Sequence, residues 1–182
     1  MRMRSGWIGI VAVMAVVCLA AGTALAQQGP PKPGPEVQKL KMFEGKWKGE
    51  SEMKPSAFGP GGKMTSMDDC TWFEGGFQLV CKGTMTGSMG KVQNTGVMGW
   101  NGEEKVYKYM GYDSMGMMGS ATGTVSGKTW TWNGQDKMGG KTIHSRYTIV
   151  ETSPTSYTFK WETSEDGKTW NTIAEGKSTK TM

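Results

Sequence analysis

From Lys46 onward the chain alternates in character with a period of two. Lys46, Lys48, Glu50 and Glu52 interleave with Trp47, Gly49, Ser51 and Met53, so charge falls on one face of an extended segment. Successive strand side chains point to opposite faces, which predicts a half-buried strand. The same grammar runs to the carboxyl end: short runs rich in Thr, Val, Trp and Tyr, punctuated by Gly, Asn-Gly and Asp-Gly. Before it, Val37, Leu40 and Phe43 recur at spacings of three between Pro35 and Gly45, which predicts one short helix starting at Pro35.

Turn residues divide the strand region into about ten strands. Gly75-Gly76, as a two-residue turn, sets Trp72 opposite Leu79 and Cys70 opposite Cys81 as a hydrogen-bonded pair. Such pairs have Cα atoms near 5.5 Å, so a slightly longer loop is the alternative. A loop at Gly87 to Gly90 sets Met98 opposite Leu79 and Trp100 opposite Phe77. Asn101 to Glu104 then brings Tyr107 and Tyr109 onto that face. A turn at Ser126-Gly127 sets Trp130 opposite Gly123 and Trp132 opposite Ala121. Asp166-Gly167 sets Trp170 opposite Thr163 and Trp161 opposite Thr172. A meander of this many twisted strands closes on itself, because closure removes both edges. The expected fold is all-β: a single antiparallel up-and-down β-barrel with a short N-terminal helix.

In this register all seven tryptophans after residue 26 (Trp47, Trp72, Trp100, Trp130, Trp132, Trp161, Trp170) face inward, with Phe77, Tyr107, Tyr109 and Phe159. Two interiors fit. Aromatics dominate core burial, so the barrel can be solid; a barrel of eight or more strands can also hold one small ligand.

The amino end reads differently. Arg2 and Arg4 precede an apolar run from Trp7 to Ala21, and Ala24-Leu25-Ala26 is a small-x-small cleavage site before Gln27. The run of about 15 residues is short for a bilayer span of about 20. Residues 1–26 are therefore expected to be a cleaved signal peptide. Residues 27–35 are expected to be a Pro/Gly linker and residues 36–182 the barrel domain. Removal of Arg2 and Arg4 lowers the net charge from +5 to +3, without a basic stripe of the kind nucleic acid requires. No later segment is apolar enough to span a membrane as a helix. Cys18 leaves with the signal peptide. The remaining Cys70 and Cys81 are expected to form a disulfide across their hairpin in an oxidising periplasmic or secreted setting.

Several ordered motifs carry a family resemblance: Leu40-x-x-Phe43-x-Gly45-x-Trp47-x-Gly49, Cys70-x-Trp72-x-x-Gly75-Gly76-Phe77, Gly99-Trp100-Asn101, Tyr109-x-Gly111-Tyr112-Asp113-Ser114-Met115, and Ser164-x-Asp166-Gly167-x-Thr169-Trp170. Together they resemble the exported bacterial family called domain of unknown function 1579, in the lipocalin-like (calycin) group. The resemblance spans roughly residues 35–176 and implies a lipocalin-type barrel and a bacterial periplasmic or secreted location. It implies no established activity. It also implies an arginine from a late strand stacked on the opening tryptophan; after residue 26 the sole arginine is Arg146, which would stack on Trp47. Facing depends on the turn at residues 153–156. A four-residue loop turns His144, Arg146, Thr148 and Val150 inward, and a three-residue loop turns Ile143, Tyr147 and Ile149 inward.

Catalytic chemistry has little to work with. His144 is the only histidine, which removes a standard serine-hydrolase triad and histidine-rich metal sites. Of the acids, Asp68 and Asp69 are adjacent and so face opposite ways on a strand. Thirteen of the 16 methionines follow residue 26, where Leu40 and Leu79 are the only leucines. Methionine there reads as a flexible core filler, ahead of a thioether copper site. No catalytic residue, metal or cofactor is expected. The expected ligand-lining residues are Trp100, Tyr107, Tyr109, Trp130, Trp132, Arg146 and Trp161, with Trp47, Cys70 and Cys81 structural. The function these imply is binding of a small apolar or aromatic molecule inside the barrel. The alternative is a structural or interaction domain with a filled core.

Overall fold

The computed structural model describes residues 31–181. The expected signal peptide and the first residues of the linker lie outside the described residues. A short helix α1 (Pro35–Lys39) runs into a 3-10 turn (Leu40–Phe43). Ten antiparallel strands follow: β1 (Gly45–Met53), β2 (Gly62–Trp72), β3 (Gln78–Gly87), β4 (Gly90–Asn101), β5 (Val106–Asp113), β6 (Met118–Ser126), β7 (Thr129–Met138), β8 (Lys141–Ser153), β9 (Ser156–Ser164) and β10 (Asn171–Lys180). Each strand pairs with its successor, and β10 pairs with β1 to close the barrel. The expected all-β up-and-down barrel with an N-terminal helix is the observed fold.

The strands follow the polar/apolar alternation, and most of the expected registers hold. Leu79 faces Met98, Met98 faces Tyr109, and Trp100 faces Tyr107. Phe77 falls in a loop instead of opposite Trp100, because β3 begins at Gln78. Cys70 faces Cys81 as expected, joined by a disulfide with Cα atoms 4.0 Å apart. The turn itself is wider than Gly-Gly. The Phe73 N–H donates to the Gln78 carbonyl at 2.8 Å, leaving residues 74–77 as a four-residue loop. That loop shifts the ladder by one hydrogen-bonding phase and makes the cysteines a close, non-hydrogen-bonded pair.

Two registers differ from expectation. The β6–β7 turn is Gly127-Lys128, so Trp130 faces Val125 and Trp132 faces Gly123. Gly127 at φ +57° takes the first turn position, which moves the pairing two residues and keeps every side chain on its face. At the β9–β10 connection, one oxygen of Asp166 accepts from the N–H groups of Lys168 and Thr169, both at 2.7 Å. This Asx-type loop is longer than a hairpin turn and delays β10 to Asn171, which faces Thr163. Trp161 therefore faces Ala174, across a register shift between Thr172 and Ala174. Trp170 lies outside the strands.

Helix α1 and the 3-10 turn close one end of the barrel. Leu40 and Phe43 join Leu79, Tyr107, Trp130 and Trp132 in one buried cluster. Full burial of a side chain the size of Leu or Phe is worth about 1.5–3 kcal/mol, so these two residues fasten the segment firmly. Trp47, also buried, donates its indole N–H to the Phe43 carbonyl at 2.9 Å, tying the start of β1 to the plug.

Candidate functional site

The inward face of the barrel divides into a solid half and an accessible half. At the helix end, Leu40 and Leu79 have no exposed surface, and Trp47, Tyr107 and Trp130 have 1% each. Phe43 meets Trp130 edge-on at 5.0 Å, and Tyr107 meets Trp130 at 4.9 Å. The Tyr107 hydroxyl lies 3.0 Å from both the backbone oxygen and a carboxylate oxygen of Glu36 on α1. Burial, then the Glu36 carboxylate, pushes the Tyr107 phenol far up. The Trp130 indole N–H donates to Glu151 at 2.8 Å. Tyr107 and Trp130, expected to line a ligand site, are thus spent on sealing this end. Trp100 packs against Tyr107 at 4.9 Å and belongs to the same plug.

Midway along the barrel, the large side chains lie against the wall instead of crossing the lumen. The Trp132 ring lies over Gly123, where a Cβ would sit 2.5 Å from Cε3. Tyr109 lies over Gly96, whose Cβ would be 2.8 Å from the phenol oxygen, and over Gly111. Small residues (Gly49, Ser66, Gly83, Ala121, Gly134, Gly176) occupy the matching inward positions of neighbouring strands. Tyr109 and Tyr147 face inward at mid-barrel, yet both remain only half-buried. Tyr147 stacks on Phe159 with ring centres 5.3 Å apart.

Polar groups converge at this level. Asp68 on β2 faces inward, two residues from Cys70, and accepts from the Ser66 hydroxyl at 3.0 Å. Its other oxygen leans over Gly83, as does Asn94 from the far side, whose amide nitrogen is 3.1 Å from the same Cβ position. Burial raises the Asp68 pKa, and the Ser66 bond offsets this in part. Burial chiefly raises the phenols of Tyr109 and Tyr147, with Asp68 contributing to both. Tyr157 is raised by burial, eased by Ser178 and raised again by Asp68. Asp68 was missed among the candidate residues. Its signal was parity: with Cys70 and Trp72 inward, Asp68 must also point inward, leaving Asp69 in solvent.

The opposite mouth carries Met53, Ile173 and Ala174, with Phe58 of the β1–β2 loop packed on Trp161 at 4.9 Å. Trp161 and Tyr109 thus border the accessible half, and Trp132 lies between the halves.

Arg146 is elsewhere. The β8–β9 turn combines Ser153 paired with Ser156 and a register shift at residue 152, which sets Tyr147 opposite Trp161 and Ile149 opposite Phe159. Tyr147 and Ile149 therefore face inward, and Arg146 and His144 face out. Arg146 bonds Glu162 at 2.9 Å and stacks 4.1 Å over Trp170, so Trp170 is also an outer residue. The cation near Trp47 is Lys180, with its ammonium 5.2 Å from the ring centre, in place of the expected arginine. Among the described residues no group of three or more His, Cys, Asp or Glu is placed to hold a metal ion.

No family model matches the chain, and no curated protein matches it. Among solved structures, Rv2717c from M. tuberculosis superposes with a TM-score of 0.57 at 12% identity, over 83% of this chain and 100% of that one. A de novo designed fluorescence-activating β-barrel gives 0.41 at 11% identity over 78% and 96% of the two chains. EF1p2_mFAP2b bound to DFHBI gives 0.44 at 12% identity over 80% and 98%. At these identities the likeness to Rv2717c concerns the fold alone, a closed β-barrel.

Proposed function

We propose that this protein is an exported lipocalin-like carrier that takes a small apolar or aromatic molecule into the accessible half of its barrel. One observation carries the reading: Tyr109 and Tyr147 keep solvent-accessible surface at mid-barrel, where a packed core would have covered them. Tyr109, Trp132, Tyr147, Phe159 and Trp161 supply the aromatic wall, with Trp132 as the floor and the solid half behind it. Burying most of a ligand in such a concave, largely apolar space is how small-molecule sites generally work. The motifs quoted above support membership in the exported family of unknown function. The Cys70–Cys81 disulfide is compatible with a periplasmic or secreted location after cleavage at Ala26. Among the described residues no helix is long and apolar enough to cross a membrane.

The test is quenching of intrinsic tryptophan fluorescence by a panel of hydrophobic ligands, with mass spectrometry of lipids that co-purify. Saturable quenching is expected in wild type. A panel with no saturable binder and no co-purified molecule refutes the carrier reading.

A second reading, a structural or interaction domain with its work on the surface, has one specific observation in its favour. Met110, Tyr112 and Met118 share the outer face of β5–β6 and are 57–75% exposed, beside exposed Met115 and Met117 at the hairpin tip. That reading predicts no ligand-linked rise in melting temperature.

A further inference from the structure

The accessible half of the barrel contains a carboxylate with no counter-ion. Asp68 receives one hydrogen bond, from Ser66, although an ionised carboxylate offers about four acceptor positions. It makes no salt bridge among the described residues. Arg146, the natural candidate, is outside and committed to Glu162. Lys180 and Lys141 are the cations on inward-facing strand positions. Lys180 flanks Trp47 on the opposite side from Asp68 and extends away towards Gly45, where a Cβ would be 3.2 Å from its Cε. Lys141 is at the mouth, two-thirds exposed and paired with Glu165.

The remaining inward groups around Asp68 are aromatic or neutral: Trp47 directly opposite, Asn94 over Gly83, and Tyr109, Tyr147 and Tyr157, whose phenols its charge raises. The other inward acids are Glu151, engaged with Trp130, and Asp113 and Asp136 near the mouth. Asp113 caps its own turn by accepting from the N–H groups of Met115 and Met117.

We infer that the cluster around Asp68 is a subsite for the ammonium group of a small amine whose apolar part lies against the aromatic wall. This rests on the carrier reading and makes it specific for charge. An ammonium brings three donors to a carboxylate with unused acceptor positions, and charge-assisted bonds of this kind are the strong ones. The faces of Tyr109, Tyr147 and Phe159 add attraction for a cation, which is largest in sites shielded from water. A cation also relieves the burial cost that lifts the Asp68 pKa. An anionic ligand, such as a fatty acid with its head group inward, would face Asp68 uncompensated.

The test compares three ligands of one size by isothermal titration calorimetry at pH 7.5: 3-phenylpropylamine (a cation), 3-phenylpropan-1-ol (its neutral isostere) and 4-phenylbutanoate (an anion). Wild type is expected to bind the amine about tenfold or more tighter than the alcohol, with the anion weakest. Asp68→Asn, checked for fold by its thermal transition, is expected to bring amine and alcohol within about twofold of each other. Equal affinities for amine and alcohol in wild type overturn the inference and leave the carrier reading standing, and this arm needs no variant. Persistence of the amine preference in Asp68→Asn overturns it as well. Failure of all three ligands, together with failure of the hydrophobic panel, removes the carrier reading and the inference with it.

Discussion

The disulfide between Cys70 and Cys81 pins the phase of β2 against β3, and with it the inward direction of Asp68 two residues away. Its contribution can be worked from the length of chain it closes. The cysteines are 11 residues apart, and for a loop of that length the lost unfolded-state entropy amounts to about 2.8 kcal/mol at 25 °C. In a domain of this size that corresponds to roughly 6–11 °C in Tm. The perturbation is Cys70→Ala with Cys81→Ala, followed by urea denaturation of the variant, oxidised wild type and wild type reduced with dithiothreitol. Reduction isolates the cross-link. The alanine pair adds the loss of sulfur packing at Cys70, which is 5% exposed. Reduced wild type is expected to lie about 2–3 kcal/mol below the oxidised protein, with the alanine variant about 1 kcal/mol lower again. A reduction cost under about 1 kcal/mol refutes the loop-entropy account and leaves the β2–β3 ladder as the sole determinant of phase.

The other predictions concern single side chains. Asp68 is raised in the folded state above its ordinary 3.8, so the folded protein binds more protons than the unfolded chain, and stability falls as pH rises through the folded value. Asp68→Asn should therefore be more stable than wild type at pH 7 and indistinguishable below the unfolded value, as read by denaturation midpoints across pH; a less stable variant at pH 7 contradicts this. Arg146→Ala should leave ligand binding unchanged and cost no more than about 1 kcal/mol, since Lys160 still pairs with Glu162 at 2.8 Å; a loss of ligand affinity would put the guanidinium back inside. Trp47→Phe leaves the buried Phe43 carbonyl without its indole donor and should cost about 1–3 kcal/mol in urea denaturation. Gly123→Ala drives a methyl into the Trp132 ring and should cost about 1–3 kcal/mol, with a shifted tryptophan emission maximum.

Architecture was legible because alternation is a local signal repeated ten times. Lys46 to Met53 announces a strand by itself, and each Gly-containing turn then orients the next. Registers were legible at Gly87 and Gly90, and slipped by two residues at Gly127, which takes the first turn position instead of the second. They were misread where a side chain competed for the backbone. Asp166 captures two N–H groups, lengthens its loop and carries Trp170 out of the barrel. At β8–β9 a single shifted residue decides whether Arg146 or Tyr147 faces inward, and composition holds no information on that choice. The lysine near Trp47 was hidden for another reason: Lys180 reaches it only because β10 closes on β1, the longest-range pairing in the chain.

Aromatic parity alone left a solid and a hollow barrel equally possible, and the partition between them lies in the glycines. A core filled across its width would pair each large side chain with another reaching in from the facing wall. At the helix end this happens, with Phe43 reaching in from the plug to meet Trp130, which also meets Tyr107. One layer further, Trp132 and Tyr109 are instead laid along their own sheet, over Gly123, Gly96 and Gly111. A glycine on a strand weakens it, and an inward carboxylate without a cation costs more. Three such glycines and Asp68 are poor choices for a rigid plug. They suit a wall that must stay thin, with one charged point on it.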